Sequence, residues 1–123
     1  MGAAITANVR INSAKLKDII RTSPQKAANL IDALAFEGEG YLKRSFGTSP
    51  SAAGEPPGVN TGALRASIHV ENLGQFRRGI ATGVDYAIHL EFGTTKMAAR
   101  PFMVPMSIYL QRQVEPFWRR FVE

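Results

Sequence analysis

Residues 84–105, with the sequence VDYAIHLEFGTTKMAARPFMVP, decide how this chain is interpreted. The stretch places ionisable side chains, among them His89 and Glu91, on one side of Gly93, and a lysine and an arginine on the other. Such a set of residues serves either as an active site or as a turn that joins two structural elements. The rest of the sequence has to distinguish these two possibilities.

The same stretch carries local signals for secondary structure. Its first half predicts one or two helical turns that Gly93 ends, because the apolar residues there recur at helical spacing. A final helix is expected to start around residues 101–105, anchored by Pro101 and Phe102. The residues on the shared apolar face of the first turns are Tyr86, Ala87 and Leu90.

The composition predicts one soluble globular domain that spans residues 1–123. Of these residues, 45% are hydrophobic and 20% are charged, and no apolar run approaches the ~20 residues that a membrane-spanning helix needs. We therefore expect no membrane association. The start of the chain lacks the pattern of a signal peptide, which predicts synthesis in the cytoplasm. The absence of cysteine excludes disulfides and thiolate chemistry.

The net charge of +5 would favour acidic partners or nucleic acid, but lysine and arginine are scattered along the chain. Near the start, residues 4–11 alternate apolar and polar, which predicts a half-buried strand. Asn12 or Ser13 then begins a short helix that runs to Arg21 and covers the core. The apolar residues of this short helix are Leu16, Ile19 and Ile20.

A long helix is predicted to start at Ser23 and Pro24, with the serine side chain capping it and Pro24 in its first turn. Gly47 is predicted to end it. Gly38 and Gly40 each cost about 1 kcal/mol against alanine inside a helix. They indicate either a close approach of another backbone or a kink. The predicted apolar stripe contains Ala27, Leu30, Ile31, Leu34, Gly38, Tyr41, Leu42 and Ser45.

Residues 47–62, GTSPSAAGEPPGVNTG, are rich in glycine, proline and serine and predict a long loop. Loops of this length are usually functional or disordered. The stretch is therefore either a contact with another subunit or plain disorder.

After this loop, LRASIHVENL and GIATGV predict two strands of an antiparallel hairpin, with NLGQFRRG as the turn. Thr61 and Gly62 are expected to start the hairpin. The order of elements predicts an α+β fold, in which one long helix packs across a small antiparallel sheet. The last helix is expected to be kinked or split at Pro116. Its predicted apolar stripe contains Met106, Leu110, Val114, Phe117 and Phe121, with Tyr109 and Trp118 beside it.

The ionisable residues follow no spacing known from enzymes, metal sites or phosphate-binding loops. We therefore expect no catalytic residue, cofactor or metal ion. Glu91 and Arg100 are instead interpreted as a partly buried ion pair that closes the loop between them. The candidates considered for catalysis were His69, Glu71, Asp85, His89, Glu91 and Lys96.

A nucleic-acid-binding role is the alternative that the basic charge supports. The arginines of QFRRG and FWRRF could meet phosphates while aromatic side chains stack on bases. Against this role, Phe117, Trp118 and Phe121 are needed for the core face of the last helix.

Three blocks, PPGVNTGALRASI, GVDYAIHLEFGT and KMAARPFMVPM, occur in this order within residues 56–106. Together they resemble the small tail-completion, or head-to-tail joining, proteins of long-tailed bacteriophages. The combination of YA, EFGT and ARPF is the more specific part of this resemblance. The residues of the structural motif are Thr61, Gly62, Arg65, Tyr86, Glu91, Phe92, Gly93, Arg100, Pro101 and Phe102.

The resemblance implies a non-enzymatic virion protein of the neck or tail, made in the cytoplasm of the bacterial host. It implies a ring at the junction of the tail tube and the head connector, with six copies to match a tail tube or twelve to match a portal. Basic residues then face either DNA passing through the ring or an adjoining protein. A free sheet edge would allow subunits to pair. The candidate subunit contacts are Ser49, Pro50, Glu55, Pro56, Pro57, Ser67, Arg77, Arg78 and Thr82.

Overall fold

The computed structural model describes residues 11, 13–46, 62–84, 86–96 and 98–123. These residues form five helices and a hairpin of two strands, so the predicted α+β class is confirmed. The helices are α1 (Ser13–Thr22), α2 (Pro24–Ser45), α3 (Gly62–Ser67), α4 (Ala87–Phe92) and α5 (Met103–Phe121). The strands are β1 (His69–Gly74) and β2 (Arg77–Ala81).

The long helix α2 starts where the Ser23-Pro24 pair predicts, but the capping is different. The Ser23 side chain makes no capping hydrogen bond. The Ser23 carbonyl instead accepts the amides of Lys26 at 3.0 Å and Ala27 at 3.3 Å. The helix ends at Ser45, and the predicted stop at Gly47 lies outside the described residues.

The core lies mainly between α2 and α5, which pack along each other. Burial of apolar side chains is the main favourable contribution to folding, and here it falls into two clusters along this helix pair. The first cluster contains Leu42, Phe46, Leu64, Ile68, Ala87, Phe102, Met103, Met106 and Leu110. The second cluster contains Leu30, Leu34, Val114 and Trp118.

The predicted antiparallel hairpin is confirmed, with a shorter turn than expected. Strands β1 and β2 pair from His69 opposite Ala81 to Gly74 opposite Arg77, with an irregularity between Asn72 and Gly74. Only residues 75 and 76 form the turn. The hairpin packs against α2, so the long helix lies across a small antiparallel sheet as predicted.

Residues 64–67 are helical, and their predicted assignment to the first strand is wrong. Gly62 begins α3 and therefore does not start the hairpin, while Thr61 lies outside the described residues. Leu64 and Ile68 explain the difference, because both are buried in the first cluster and are separated by four residues. Ile68 directly follows α3, and its amide donates to the Arg65 carbonyl at 3.3 Å, so this turn directs both side chains into the same cluster.

Helix α1 confirms the predicted short helix and packs against α2. None of its residues is fully buried, but Ile19 packs against the second cluster. The predicted strand at residues 4–11 lies outside the described residues except for Ile11. This residue belongs to no strand and also packs against the second cluster.

Helix α5 continues through Pro116, so of the predicted kink or split the split is wrong. A proline inside a helix removes one backbone hydrogen bond and clashes with the preceding turn. Val114 and Trp118, on either side of the proline, are both buried in the second cluster. Their burial holds the two halves of the helix on the same surface of α2. Trp118 is thus a core residue of α5, whereas Phe117 and Phe121 are only partly buried.

The buried face of α2 explains one of its two unusual glycines. A Cβ on Gly38 would collide with Ile80 Cδ1 and lie 2.8 Å from Leu110 Cδ1. Gly38 is therefore closely packed, but by side chains of β2 and α5, so the predicted approach of another backbone is wrong. A Cβ on Gly40 would meet only the Arg44 guanidinium, 2.9 Å from Nη1, so close packing does not explain Gly40.

These two glycines form a matched pair for a stability test. Gly40→Ala should raise the free energy of unfolding by about 0.5–1 kcal/mol, because alanine favours the helix and the arginine side chain can move. Gly38→Ala should lower it, because overpacking a core costs about 1–3 kcal/mol and outweighs the same helical gain. Urea denaturation measures both values. Equal stabilisation by the two substitutions would contradict the packing at Gly38.

Candidate functional site

The carboxylate of Glu91 binds the start of α5. Its Oε1 atom accepts the backbone amides of Phe102 at 2.9 Å and Met103 at 2.8 Å, and its Oε2 atom accepts the amide of Val104 at 3.2 Å. Glu91 is the buried charged residue of the described core. The first amides of a helix lack partners within the helix and carry partial positive charge, so a carboxylate there is doubly favourable. Glu91 therefore joins α4 to α5.

The ion pair predicted between Glu91 and Arg100 is not what closes this loop. Glu91 has the three amide partners instead, and the Arg100 Nη1 atom donates to the Ala98 carbonyl at 3.2 Å. The Arg100 backbone amide donates to the Leu90 carbonyl at 2.6 Å. The loop is thus held by backbone groups at both ends. The prediction that Glu91 is engaged in this loop is correct, but its predicted partner Arg100 is wrong.

Gly93 and Phe102 have the structural roles that the sequence predicts. Gly93 follows the last residue of α4 with φ of 75°, a conformation that side chains disfavour, and its amide donates to the His89 carbonyl at 2.7 Å. Phe102 is buried and meets Phe46 edge to face, with ring centroids 5.7 Å apart. The end of α2 and the start of α5 therefore meet at this aromatic pair.

Tyr86, Phe92 and Pro101 differ in exposure. Tyr86 precedes α4 and is exposed, so it does not share the buried face predicted for it with Ala87. Phe92 is 63% exposed at the end of α4. Pro101 is half-buried just before α5. Of the apolar residues in this motif, Phe102 is the one that anchors the last helix.

Arg65 connects α3 to the end of α2. Its Nη2 atom donates to the Phe46 carbonyl at 2.7 Å, while its Nε atom is buried without a hydrogen-bond partner. A carbonyl after the last turn of a helix has no partner within the helix, so this guanidinium satisfies a terminal acceptor. Arg65 therefore has a structural role within the described chain.

Arg78 is an internal bridge, which weakens its case as a subunit contact. Its Nε atom donates to Asp32 Oδ1 at 2.6 Å, which ties β2 to α2. Its Nη1 atom donates to the carbonyls of Gly74 and Arg77 at the hairpin turn. The side chain is only 12% exposed. Arg77, in contrast, is exposed and remains a candidate for contact with a partner.

Ser67 and Thr82 meet each other where the hairpin joins the rest of the fold. Their hydroxyl groups are hydrogen-bonded, and the Ser67 hydroxyl is also 2.7 Å from the Leu64 carbonyl. The Thr82 Oγ1 atom accepts the amide of Val84 at 3.2 Å. Ser67 ends α3 and is not a strand residue. Both hydroxyls are therefore engaged within the chain, which weakens their case as subunit contacts.

His69 lies at the start of β1 between two acceptors. Its Nδ1 atom is 2.7 Å from the Ser67 carbonyl, and its Nε2 atom is 3.0 Å from Glu71 Oε1. Only the imidazolium form can donate from both nitrogens. The Ser67 carbonyl, and after it the Glu71 carboxylate, therefore raise the pKa of His69 above its ordinary value. The contacts are exposed and local, and they do not form a catalytic arrangement.

A polar contact also joins α2 and α5. The Tyr109 hydroxyl donates to Glu37 Oε1 at 2.6 Å, and Arg44 approaches the same oxygen at 3.3 Å. The hydrogen bond to Glu37 raises the pKa of Tyr109. The Tyr109 ring stacks on Tyr41 with centroids 4.5 Å apart. These contacts help to fix the helix pair that forms the core.

The remaining predicted contacts fall in the part of the chain that is not described. Within the described residues, no group of three or more histidine, aspartate or glutamate side chains could hold a metal ion. None of the described helices is long and apolar enough to cross a membrane. The candidates outside the described residues are Ser49, Pro50, Glu55, Pro56, Pro57, Thr61 and, among the acids considered for catalysis, Asp85.

Sequence reasoning missed two features of the surface. Asp32, the partner of Arg78, lies 46 residues before it, and no local pattern indicates the pair. The second feature is a group of exposed apolar side chains at the start of α5. Val104 and Ile108 are separated by four residues and lie outside the buried stripe, so helical spacing could have revealed them. The exposed residues of this group are Val104 and Ile108, and Phe92 is exposed at the end of α4.

Comparison with known proteins gives no relative. No family model matches the chain, and no curated protein or solved structure matches it.

The contact between Glu91 and α5 predicts a large stability loss on a small change. Glu91→Gln keeps the size of the side chain but removes its charge and replaces one acceptor oxygen with a donor group. The free energy of unfolding should fall by roughly 2–3 kcal/mol, because buried amides lose a charged acceptor. Denaturant unfolding measures the loss. Glu115→Gln is the control, since Glu115 is exposed and its arginine partner is 3.8 Å away; its effect should stay within about 0.5 kcal/mol.

The His69 contacts predict a pH effect. NMR titration should show a His69 pKa above that of a histidine in an unfolded peptide, and Glu71→Gln should lower it. Because the pKa of His69 is raised in the folded state, its protonation stabilises the fold. This contribution is complete below the pKa of the unfolded state and disappears as the pH rises through the pKa of the folded state. Glu71 and, at longer range, Glu39 are the acids that act on His69. A His69 pKa unaffected by Glu71→Gln would contradict this geometry.

Proposed function

We propose that this chain is a non-enzymatic structural protein of a phage virion, which forms a ring at the junction of head and tail. The observation that carries the proposal is the contact between two of the resemblance blocks. Glu91 of the EFGT block binds the amides of Phe102 and Met103 in the ARPFM block. Two of the three blocks that carry the resemblance thus meet in one structural joint.

The chemistry of the stretch 84–105 supports a structural role. A general acid or a metal ligand must reach a substrate or an ion with its carboxylate. The Glu91 carboxylate is buried, and both of its oxygens accept backbone amides. Its geometry fits the joining of two helices and not the binding of a reactant.

The surroundings of the C-terminal aromatics weigh against the nucleic-acid alternative. Trp118 is buried, and Phe117 and Phe121 pack against the second cluster. Aromatic side chains that support a core are poorly available to stack on bases. The arginine of QFRRG that bridges to Asp32 is likewise engaged within the fold. A salt-dependent gel shift with DNA or RNA would favour the alternative.

Complementation tests the proposed function directly. The gene is inactivated in the virus or lysogen that encodes it, and particles are examined by electron microscopy. The proposal predicts filled heads and complete tails that are not joined, and purified protein added to the lysate should restore infectious particles. Normal particles in the absence of the protein would contradict the proposal. Restoration by the purified protein excludes an indirect effect of the inactivation on neighbouring genes.

Arginine substitutions in the same assay distinguish a contact from a scaffold role. Arg77→Ser changes an exposed side chain and should reduce joining without reducing stability if Arg77 faces DNA or a partner. Arg78→Ser breaks the bridge to Asp32 and should lower the stability of the fold. Unchanged joining by a stable Arg77→Ser protein would remove Arg77 from the interface.

A further inference from the structure

Helix α1 buries little of its own surface against the rest of the fold. None of its ten residues is fully buried, and it packs mainly against α2. The side-chain hydrogen bonds of Arg21 and Thr22 both end on Asp18, within the same helix. A segment with few buried apolar contacts opens at a lower free energy than the core of its protein. Helix α1 therefore meets the conditions for local opening.

The surface beneath α1 is nevertheless part of the core. The Lys15 Nζ atom lies 5.8 Å from the centroid of the Trp118 ring, and Ile19, one turn later, packs against the second cluster. Residues four apart lie on the same side of a helix, so this side of α1 faces the cluster. Ile11, just before the helix, packs against the same cluster. Helix α1 thus covers apolar side chains, of which Trp118 is only 8% exposed.

The connection between α1 and α2 consists of one residue. Ser23 has φ of −150° and ψ of 71°, outside the helical region, and Pro24 follows it at the start of α2. A residue before proline disfavours the helical conformation, which keeps the two helices from joining into one. A few residues at the end of an element are enough to absorb the rotation of a hinge. Ser23 is therefore the position at which α1 can turn away from α2.

The pair of helices beneath α1 has connections of its own. The Lys26 Nζ atom donates to the Val122 carbonyl at 3.4 Å, which links the start of α2 to the end of α5. The Tyr109 hydroxyl and Glu37 link the same two helices further along. Neither contact involves a residue of α1. The helices α2 and α5 can therefore stay packed while α1 moves.

We propose that α1 is a lid, which opens from the second cluster as a unit about Ser23 while the remainder of the fold stays intact. Helices shorter than ~12–15 residues are marginal in water, so α1, with ten residues, unwinds when it leaves the cluster. In the open form the chain presents an apolar surface around Trp118 that the closed form covers. This inference does not depend on the proposed function.

Hydrogen exchange of the backbone amides tests the lid in the unmodified protein. The amides of Ile20, Arg21 and Ser23 should exchange at least about tenfold faster than those of Leu30 and Leu34 in α2, because they need only the local opening. Their opening free energies should be equal, since the lid opens as a unit. Exchange as slow as that of α2 would contradict the lid. A gradual change along α1 would indicate fraying from one end and would contradict it as well.

Substitutions distant from α1 separate the lid from global unfolding. Gly38→Ala and Glu91→Gln both weaken the first cluster or the α4–α5 joint, so they should speed exchange of the central amides of α2. The amides of α1 should keep their rates, because the lid opens with both sites intact. Either variant is sufficient if the other does not fold. Equal acceleration in α1 and α2 would mean that α1 opens only with the whole chain, and the proposal would be wrong.

A charge on the inner side of α1 tests what the lid covers. Ile19→Asp should hold the lid open and increase acrylamide quenching of Trp118, the single tryptophan of the chain, at least about twofold, because an unpaired charge is costly against an apolar cluster. Lys17→Asp is the control, since Lys17 is exposed on the same helix. The Ile19→Asp protein should still unfold cooperatively in urea. Equal quenching in the two variants, or loss of the cooperative transition in Ile19→Asp, would overturn the proposal.

Discussion

The buried carboxylate of Glu91 at the start of α5 is the interaction on which this fold depends. A helix that begins inside a protein leaves backbone amides without acceptors, and leaving them unpaired is costly. Glu91 satisfies three of them from the end of α4. One of the three belongs to Phe102, whose ring meets Phe46 at the end of α2. The joint thereby fixes α4, α5 and the end of α2 relative to one another, and the core of the helix pair continues from it.

The sequence predicts most elements of this fold, because periodicity and helix-ending residues are local signals. It correctly predicts the long helix from Pro24, the stop at Gly93 and the antiparallel hairpin. It assigns residues 64–67 to a strand, because Ile68 and Val70 alternate with polar residues. In the structure, the burial of Leu64 and Ile68 in one cluster favours the helical turn of α3 instead. The partners of Glu91 could not be predicted, because they are backbone amides, which every non-proline residue has and which no side-chain pattern identifies. A buried acid near an arginine suggests an ion pair on chemical grounds alone.

The described side chains discussed above are of two kinds, those that bind within the chain and those that remain exposed. Arg65, Arg78 and Glu91 are engaged within the chain and hold helices and hairpin together. Large apolar side chains remain exposed on the held hairpin and at the α4–α5 joint. Recognition by such a surface depends on shape and on apolar contact, with a few charges setting the orientation. The described side chains therefore divide into those that hold the fold together and large apolar ones that remain exposed.

Amide hydrogen exchange in the unmodified protein tests the role of Glu91 most directly. Amides in the first turn of a helix ordinarily exchange fast, because they have no acceptor within the helix. The amides of Phe102, Met103 and Val104 should instead exchange as slowly as those in the middle of α5, through global unfolding. The Lys96 amide, which donates to the exposed Thr94 hydroxyl at 3.2 Å, should exchange much faster. If the three amides exchanged as fast as that of Lys96, Glu91 would not hold the start of α5.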